Sequence, residues 1–267
     1  MMLYRLAWPT RLKDMIQIFG CSRSAISKTV NRLVYFLYQR YHAQLFWDAQ
    51  RLTLAKLQEY EHAISTSCKG INKIWGFIDG TVRPIARPEV DQERFYSGHK
   101  GYHGIKFQAI VTPDGLISSL YGPEYGPVGD WRMWKDCGIA AKLRELFTGT
   151  SESDMLYLYG DPAYSLSYGT LAPFSRRELS ARENAMNIEM SSARIVVEWG
   201  FGLVRSQFSY GEKKSSQQTG LSAIGAYYIV AVLLTNCQTC LRRRNQISER
   251  FNNLIRPPTL AEYLHDC

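Results

Sequence analysis

Two aspartates follow apolar segments at positions where carboxylates could work together. Asp79 comes directly after the apolar run 74–78, and Asp161 closely follows a second run at 155–159. Short apolar runs of this kind are typical of buried strands. In open α/β sheets, sites gather at the carboxyl ends of strands, so the two aspartates could meet if their strands are neighbours.

A third carboxylate, Glu198, lies in a segment with helical spacing. Arg194 is four residues before it and Arg205 seven residues after it, so the three side chains share one face of the helix. The opposite side is apolar, which fits a helix whose carboxylate points into a site. A fourth acidic residue, Asp130, follows the third predicted strand and starts the next helix.

Carboxylates clustered in this way would repel one another without compensating positive charge. Mg²⁺ and Mn²⁺ prefer oxygen ligands. Two such ions roughly 3.5–4 Å apart can activate a water or a 3′-hydroxyl and stabilise the leaving oxygen. Ordinary roles also fit: Asp130 as a helix N-cap, and Asp79 and Asp161 as turn residues. Glu198 could be only an intrahelical partner of Arg194, so spacing alone leaves both interpretations open.

The elements that would position these carboxylates begin near residue 70. From there strands and helices alternate, which predicts an α/β fold with a central sheet covered by helices. The segment 71–245 would form this core and 246–267 a tail. Strands are predicted at 74–78, 105–112, 116–121, 155–159 and 170–174, with a turn at 113–115, and helices at 131–147 and 178–208, the last broken near Ser191.

Residues 1–70 have a helical pattern. Pro9 and Thr10 provide a helix start, Gly20 breaks the pattern, and Ser22 can cap a second helix, so about 9–41 forms a helix-turn-helix candidate. A plain helical hairpin explains the pattern equally well. The exposed side of the second helix would present side chains able to reach phosphates and base edges: Arg23, Ser24, Ser27, Lys28, Asn31 and Arg32.

The charge balance suits a polyanionic partner. Lysine and arginine total 32 against 24 acidic residues, a net charge of +8, and neutralising phosphates releases counterions. The 45% hydrophobic fraction excludes a mainly disordered chain. The pair Cys237 and Cys240 lacks the second pair that a zinc site needs, so reduced intracellular thiols are expected. The apolar run 221–234 is shorter than the roughly twenty residues of a bilayer span, which predicts a core helix and no membrane association.

Several short motifs, occurring in order over roughly residues 70–240, resemble the PIF/Harbinger superfamily. This superfamily contains DDE-type transposases and nucleases derived from them. The motifs are FIDGT at 77–81, FYSGHK at 95–100, His103 with KFQ at 106–108, Gly-Asp at 129–130, YGDPAY at 159–164 and RIVVEWGF at 194–201. As a series they are far more specific than any single motif.

The resemblance implies a ribonuclease H-like core, a mixed sheet flanked by helices, behind an N-terminal all-α helix-turn-helix head. It also implies metal-dependent DNA cleavage and strand transfer, and a nuclear location that does not exclude the cytoplasm. Asp79, Asp161 and Glu198 correspond to the catalytic carboxylates that bind Mg²⁺ or Mn²⁺, and Asp130 to a further acidic position often treated as a metal ligand. Residues expected to contact DNA near this site are His99, Lys100, Arg194 and Arg205.

Two features of the chain depart from the family pattern. Pro162 stands where a glycine or small residue is common, and proline could alter the turn that aims Asp161. Little sequence precedes the helix-turn-helix, which raises the question of a truncated copy. Relatives commonly work with a separate Myb-like DNA-binding protein, and joining two element ends usually calls for at least a homodimer.

Two hypotheses about function follow. In the first, the protein is an active divalent-metal nuclease or transposase that uses all four acidic residues. In the second, it is a domesticated DNA-binding protein that keeps the fold without cleavage. A phosphohydrolase acting on small molecules is disfavoured by the N-terminal pattern.

Overall fold

A mixed six-stranded sheet lies at the centre of the computed structural model, which describes residues 1–68, 70–220 and 223–265. Strand β1 pairs antiparallel with β3 and parallel with β5; β3 also pairs antiparallel with β2 and β4, and β5 pairs parallel with β6. The strands are β1 (Ile74–Pro84), β2 (Tyr96–Ser97), β3 (Tyr102–Val111), β4 (Ile117–Tyr125), β5 (Tyr157–Tyr159) and β6 (Thr170–Leu171).

Helices precede, interrupt and follow the sheet. Short 3₁₀ turns at Glu152–Asp154, Ser209–Glu212 and Lys214–Ser216 link some of them. The helices are α1 (Met2–Ala7), α2 (Leu12–Phe19), α3 (Arg23–Phe46), α4 (Leu54–Ser67), α5 (Gln92–Phe95), α6 (Asp130–Asp136), α7 (Ile139–Leu146), α8 (Ala181–Gln207), α9 (Ile224–Arg242), α10 (Gln246–Arg250) and α11 (Leu260–Leu264).

Hydrophobic clusters cover both faces of the sheet. On one face Phe77 and Phe107 pack with side chains of α8 and α9 such as Val197. On the other face Trp75 and Ile110 pack with side chains of α4, α6 and α7. The prediction of a mixed sheet flanked by helices is therefore confirmed, and the arrangement is consistent with a ribonuclease H-like core.

Strand β1 is longer than predicted. It continues past Asp79 to Pro84 because β3 pairs with it along the whole stretch from Phe77, opposite Val111, to Pro84, opposite Gly104. The prediction that this strand ends at Asp79 was wrong. Asp79 lies within the strand, and its side chain shares a face with Phe77, the face covered by α8, because side chains alternate along a strand.

Two predicted helix boundaries were also wrong. The helix expected at 131–147 is divided into α6 and α7 by Gly138, whose φ of 75° few other residues adopt readily. The break expected near Ser191 is absent, and α8 runs unbroken from a capping box formed by Ser180 and Glu183. Burial of Met190 and Ala193 on either side of the serines outweighs their weak helix propensity.

The N-terminal helices pack directly on the core. Helix α2 ends at Gly20 in the left-handed conformation, and the Ser22 side chain caps α3 by accepting from the Ala25 N–H at 3.2 Å. Side chains of α1–α3, including Val30, share one buried cluster with Val230 of α9. Two helices joined by a short turn are thus present, whereas the helix-turn-helix DNA-binding head and the boundary at residue 70 stay predictions.

Helix α9 is the core helix expected from the apolar run, although Leu221 and Ser222 lie outside the described residues. It is long and apolar enough to cross a membrane by composition. However, Val230 and Val232 are fully buried against the sheet and α3. Burial inside the protein accounts for its apolar character.

We expect Phe77→Ala to lower the free energy of unfolding by about 3–5 kcal/mol, because truncating a fully buried phenylalanine leaves a cavity. Phe36→Ala is the matched control: Phe36 is exposed on α3, so the loss should stay below about 0.5 kcal/mol. Equilibrium urea denaturation measures both values. Equal losses would contradict the assignment of Phe77 to the core.

Candidate active site

The register of β1 and β5 brings two aspartates to one edge of the sheet. Phe77 pairs with Tyr159 in parallel register, and Asp79 and Asp161 each follow by two residues. Both aspartates line the same cavity, of about 490 Å³. The two strands are therefore neighbours, as the site prediction required.

A tight turn after β5 holds Asp161. The Tyr164 N–H donates to the Asp161 carbonyl at 3.0 Å, and the Ala163 N–H donates to Asp161 Oδ1 at 2.9 Å. Pro162 occupies the second position of this turn, where its fixed φ is favourable and no N–H is required. Pro162, which departs from the family pattern at this position, therefore fits the turn.

Asp130 lines the same cavity from the start of α6. The N-cap residue of α6 is Gly129, and the Asp130 side chain makes no capping bond. The interpretation of Asp130 as a helix N-cap was therefore wrong. Lys106 Nζ donates to Asp130 Oδ2 at 3.0 Å and to the Val128 carbonyl at 2.9 Å. Asp130 Oδ1 is buried without a hydrogen-bond partner among the described residues. It lies so close to Gly80 that a Cβ there would collide with it.

Arg194 projects from α8 onto the sheet and contacts Asp79. Its Nη1 donates to Asp79 Oδ2 at 2.8 Å, while Asp79 Oδ1 accepts from the Gly80 N–H at 2.8 Å. Arg194 Nη2 also lies 3.8 Å from Glu198 Oε1, one helical turn further on. The arginine therefore connects two of the predicted carboxylates.

The aspartates influence one another electrostatically. Burial raises the pKa of Asp79 to about 6; Arg194 and the Gly80 N–H oppose this rise, whereas Asp161 and Asp130 add to it. Burial also raises the pKa of Tyr164 well above its usual value, and the charges of the same three aspartates raise it further. Three carboxylates thus converge around one buried phenol.

Glu198 is the predicted metal ligand that the structure places outside the cavity. Its side chain is 59% exposed and it does not line the cavity. Helical periodicity correctly placed Glu198 on the same face of the helix as Arg194. The two residues form the intrahelical ion pair that was the alternative to a role in the site. Within 1–68, 70–220 and 223–265, no three acidic, histidine or cysteine side chains already stand close enough together to hold a metal.

The donor set nevertheless fits a hard divalent cation. The cavity offers carboxylate oxygens, which Mg²⁺ and Mn²⁺ prefer, and Asp130 Oδ1 is a buried acceptor whose hydrogen-bonding capacity is unused. A bound cation would also stabilise the charged form of Asp79, whose pKa is raised mainly by burial and further by Asp161 and Asp130.

Basic side chains form another part of the cavity wall. His99 and Lys100, on the loop between β2 and β3, line it together with Lys106 and Arg194. Arg205 is exposed two helical turns beyond Glu198 and does not line the cavity. The site can therefore accept an anion beside its carboxylates.

The residues predicted to contact DNA from α3 divide into two groups. Four are exposed: Arg23, Ser24, Lys28 and Arg32, while Ser27 is half-buried. Asn31 is also half-buried and accepts a hydrogen bond from the Tyr227 hydroxyl of α9. This bond directs its carboxamide oxygen toward the protein.

Two residues of the site were not predicted as such. Lys106 holds Asp130, and Tyr164 is fully buried, senses the charges of the aspartates and donates to Gln108 Oε1 at 3.2 Å. Both belong to motifs that carried the family resemblance, KFQ and YGDPAY. Their presence in those motifs was the only signal in the sequence that could have identified them as site residues.

A mixed sheet that gathers half-buried carboxylates beside basic side chains defines a class of protein: an α/β fold with a carboxylate centre suited to anionic substrates. The family model described as DDE superfamily endonuclease matches residues 78–236, and the chain belongs to this family. The match includes Asp79, Asp130, Asp161 and Glu198. The prediction of a DDE-type family is confirmed at this level, without distinction of the Harbinger type.

A relative is described as a probable transposase for insertion sequence element IS702 from Microchaete diplosiphon. It is 25% identical over 180 residues, which cover 67% of this chain and 58% of that protein. The chain thus spans less than two thirds of this relative's length. No solved structure matches the chain.

We expect Asp79→Asn to stabilise the protein by about 1–3 kcal/mol near neutral pH without divalent cations. The folded-state pKa, about 6, lies above the ordinary value of 3.8. Between these values the folded state keeps a proton that the unfolded state has released. The free energy of unfolding of the wild type therefore falls as pH rises through this window. An amide cannot ionise, so the Asp79→Asn variant does not lose this stability. Urea denaturation in EDTA at a series of pH values measures it.

Asp14→Asn is the control of opposite sign. Asp14 is exposed, and its hydrogen bond with Arg11 lowers its pKa, so losing this carboxylate should slightly reduce stability above its ordinary pKa. If Asp79→Asn were destabilising near neutral pH, or the wild-type stability did not fall through the window, the electrostatic account of the site would be incorrect.

Proposed function

We propose that the protein is a divalent-metal-dependent DNA nuclease of the transposase type. The observation that carries the proposal is the convergence of Asp79, Asp130 and Asp161 on one cavity that basic side chains also line. Membership of the DDE superfamily endonucleases and the similarity to a described transposase support it.

In this proposal Asp79, Asp130, Asp161 and Glu198 hold Mg²⁺ or Mn²⁺. Such ions, when bound, activate a water or a 3′-hydroxyl and stabilise the leaving oxygen of the phosphodiester. Lys106 fixes one oxygen of Asp130, and the other has no hydrogen-bond partner among the described residues. The absence of a side chain at Gly80 lets Asp130 approach β1.

Basic residues would receive the DNA backbone at the cavity. His99 and Lys100 are exposed on its rim, where their side chains can meet phosphate oxygens. A phosphodiester adds negative charge next to three aspartates, so these side chains would offset part of the repulsion. Arg205, farther along α8, would extend the contact along the DNA.

The ordered motif series supports a Harbinger-type member of the DDE family. With that type come further proposals: a nuclear location, assembly into at least a homodimer, and cooperation with a Myb-like DNA-binding protein. A catalytically inactive, domesticated DNA-binding protein is the second candidate. The observation in its favour is that Glu198 points away from the cavity and is paired with Arg194.

The first test is nicking of supercoiled plasmid by the wild type in Mg²⁺, Mn²⁺ or EDTA. We expect nicking with either cation and none in EDTA. We expect Asp79→Ala and Asp161→Ala each to reduce the rate by at least about a hundredfold, since even outer-shell partners of a metal contribute 10–100-fold.

Asp136→Ala is the matched control, because Asp136 lies on the same helix as Asp130 but is exposed and paired with Arg132 at 2.6 Å. It should nick at the wild-type rate. If the purified wild type binds DNA but does not nick it with any cation, the inactive DNA-binding protein is the better proposal.

The exposed surface of α3 is proposed as a second contact with DNA. Lys28 and Arg32 border a surface recess together with the aromatic side chains Tyr35 and Phe36. Tyr35 and Phe36 are both about half exposed. Cationic groups beside aromatic ones can contact phosphates and bases.

We expect Lys28→Ala and Arg32→Ala each to weaken DNA binding and to reduce the slope of log affinity against log salt by about 1. Lys142→Ala on α7, another exposed lysine, should leave the slope unchanged. Fluorescence anisotropy of a labelled duplex over a range of salt concentrations measures it. Unchanged slopes in both α3 variants would exclude phosphate contacts from this helix.

A further inference from the structure

The ion pair between Arg194 and Asp79 blocks part of the carboxylate centre. Arg194 Nη1 lies 2.8 Å from Asp79 Oδ2, and both side chains are mostly buried, with 21% and 17% exposure. The pair joins α8 to β1 across the cavity that both residues line. A contact of this length and burial is stronger than an ordinary surface ion pair.

Both oxygens of Asp79 already have partners. Oδ1 accepts from the backbone N–H of Gly80, which the strand fixes in place, and Oδ2 accepts from Arg194. Only the arginine partner is on a long side chain that rotamer changes can move. Asp130 differs, because Lys106 takes one of its oxygens and Oδ1 keeps no hydrogen-bond partner among the described residues.

The same guanidinium also forms a longer ion pair with Glu198. Nη2 lies 3.8 Å from Glu198 Oε1, and Glu198 is the one predicted metal ligand whose side chain does not line the cavity. A single cationic group thus links a carboxylate inside the cavity to one outside it.

We infer that Arg194 is a placeholder cation, which neutralises Asp79 and holds Glu198 aside until a divalent ion takes its place. The inference rests on the proposed metal-dependent function. Loading the site then requires the Arg194 side chain to withdraw from Asp79, and its withdrawal releases Glu198 to join the other carboxylates. Arg194 is a positioning residue in this account, since it acts through the carboxylates.

The first test measures Mn²⁺ affinity of the full chain by isothermal titration calorimetry, without DNA and at a pH well above the pKa of Asp79. We expect Arg194→Met, which keeps much of the apolar volume, to bind Mn²⁺ roughly tenfold more tightly than the wild type. A tenfold change in affinity lies between the effects of losing an exposed ion pair and of losing a buried one. Arg194→Lys, which keeps the charge without the planar fork, should give an intermediate affinity and serves if the methionine variant does not fold.

Arg182→Met is the matched control. Arg182 lies on the exposed part of the same helix, twelve residues or about 18 Å before Arg194. The Arg182→Met substitution removes one positive charge from α8 far from Arg194. Its Mn²⁺ affinity should equal that of the wild type, so a gain confined to position 194 cannot come from net charge alone.

A second test uses Glu198→Gln in both backgrounds. If Arg194 holds Glu198 aside, the glutamine substitution should weaken Mn²⁺ binding more in the Arg194→Met background than in the wild type. Such non-additivity is the signature of coupled residues. A merely structural role for Arg194 would not produce it.

The outcomes separate the two proposals. Tighter binding by Arg194→Met with the coupled Glu198 effect supports the placeholder. Equal or weaker Mn²⁺ binding by Arg194→Met overturns it, while a wild type that binds Mn²⁺ leaves the metal site standing. Absence of Mn²⁺ binding in the wild type and both Arg194 variants overturns the placeholder together with the proposed metal-dependent function.

Discussion

Three aspartate side chains face one cavity, and the surrounding structure supplies a polar or charged partner to each of them. The parallel pairing of β1 with β5 fixes Asp79 beside Asp161, and α6 adds Asp130. Each carboxylate is stabilised differently: by a guanidinium, by a turn N–H, and by the ammonium group of a buried lysine. The pKa of Asp79 is nevertheless raised, mainly by burial and further by Asp161 and Asp130. A carboxylate held in an unfavourable environment is a usual cost of functional sites.

The sequence predicted the parts of this arrangement that depend on local spacing. The apolar runs before Asp79 and Asp161 predicted strands, and these strands are neighbours. It could not predict that β1 continues to Pro84, because the residues after Asp79 include a glycine and polar side chains. Pairing with the distant strand β3 extends β1, and such non-local pairing overrides local propensity. The division at Gly138 was missed because the apolar pattern continues across it.

The same limit explains the errors at the site itself. Periodicity placed Glu198 and Arg194 on one face of α8, but a shared face does not determine which partner each side chain takes. In the structure the guanidinium meets Asp79, from a distant strand, and Glu198 stays exposed outside the cavity. Lys106 was overlooked because it sits within the apolar strand β3, where its charge has meaning only once Asp130 lies opposite. The family motifs contained Arg194 and Lys106, but a motif does not show which side chains these residues contact.

The packing of α3 links the proposed DNA-contacting surface to the carboxylate centre. Helix α9 contacts α3 through Val230 and contacts the sheet through Tyr228, whose ring lies 4.6 Å from that of Phe107. Phe107 is on β3, next to Lys106, which holds Asp130. The exposed side of α3 is therefore connected to the site through packed side chains. A core shared in this way resists independent movement of its parts, so DNA held on α3 would meet the cavity at a position set by the fold.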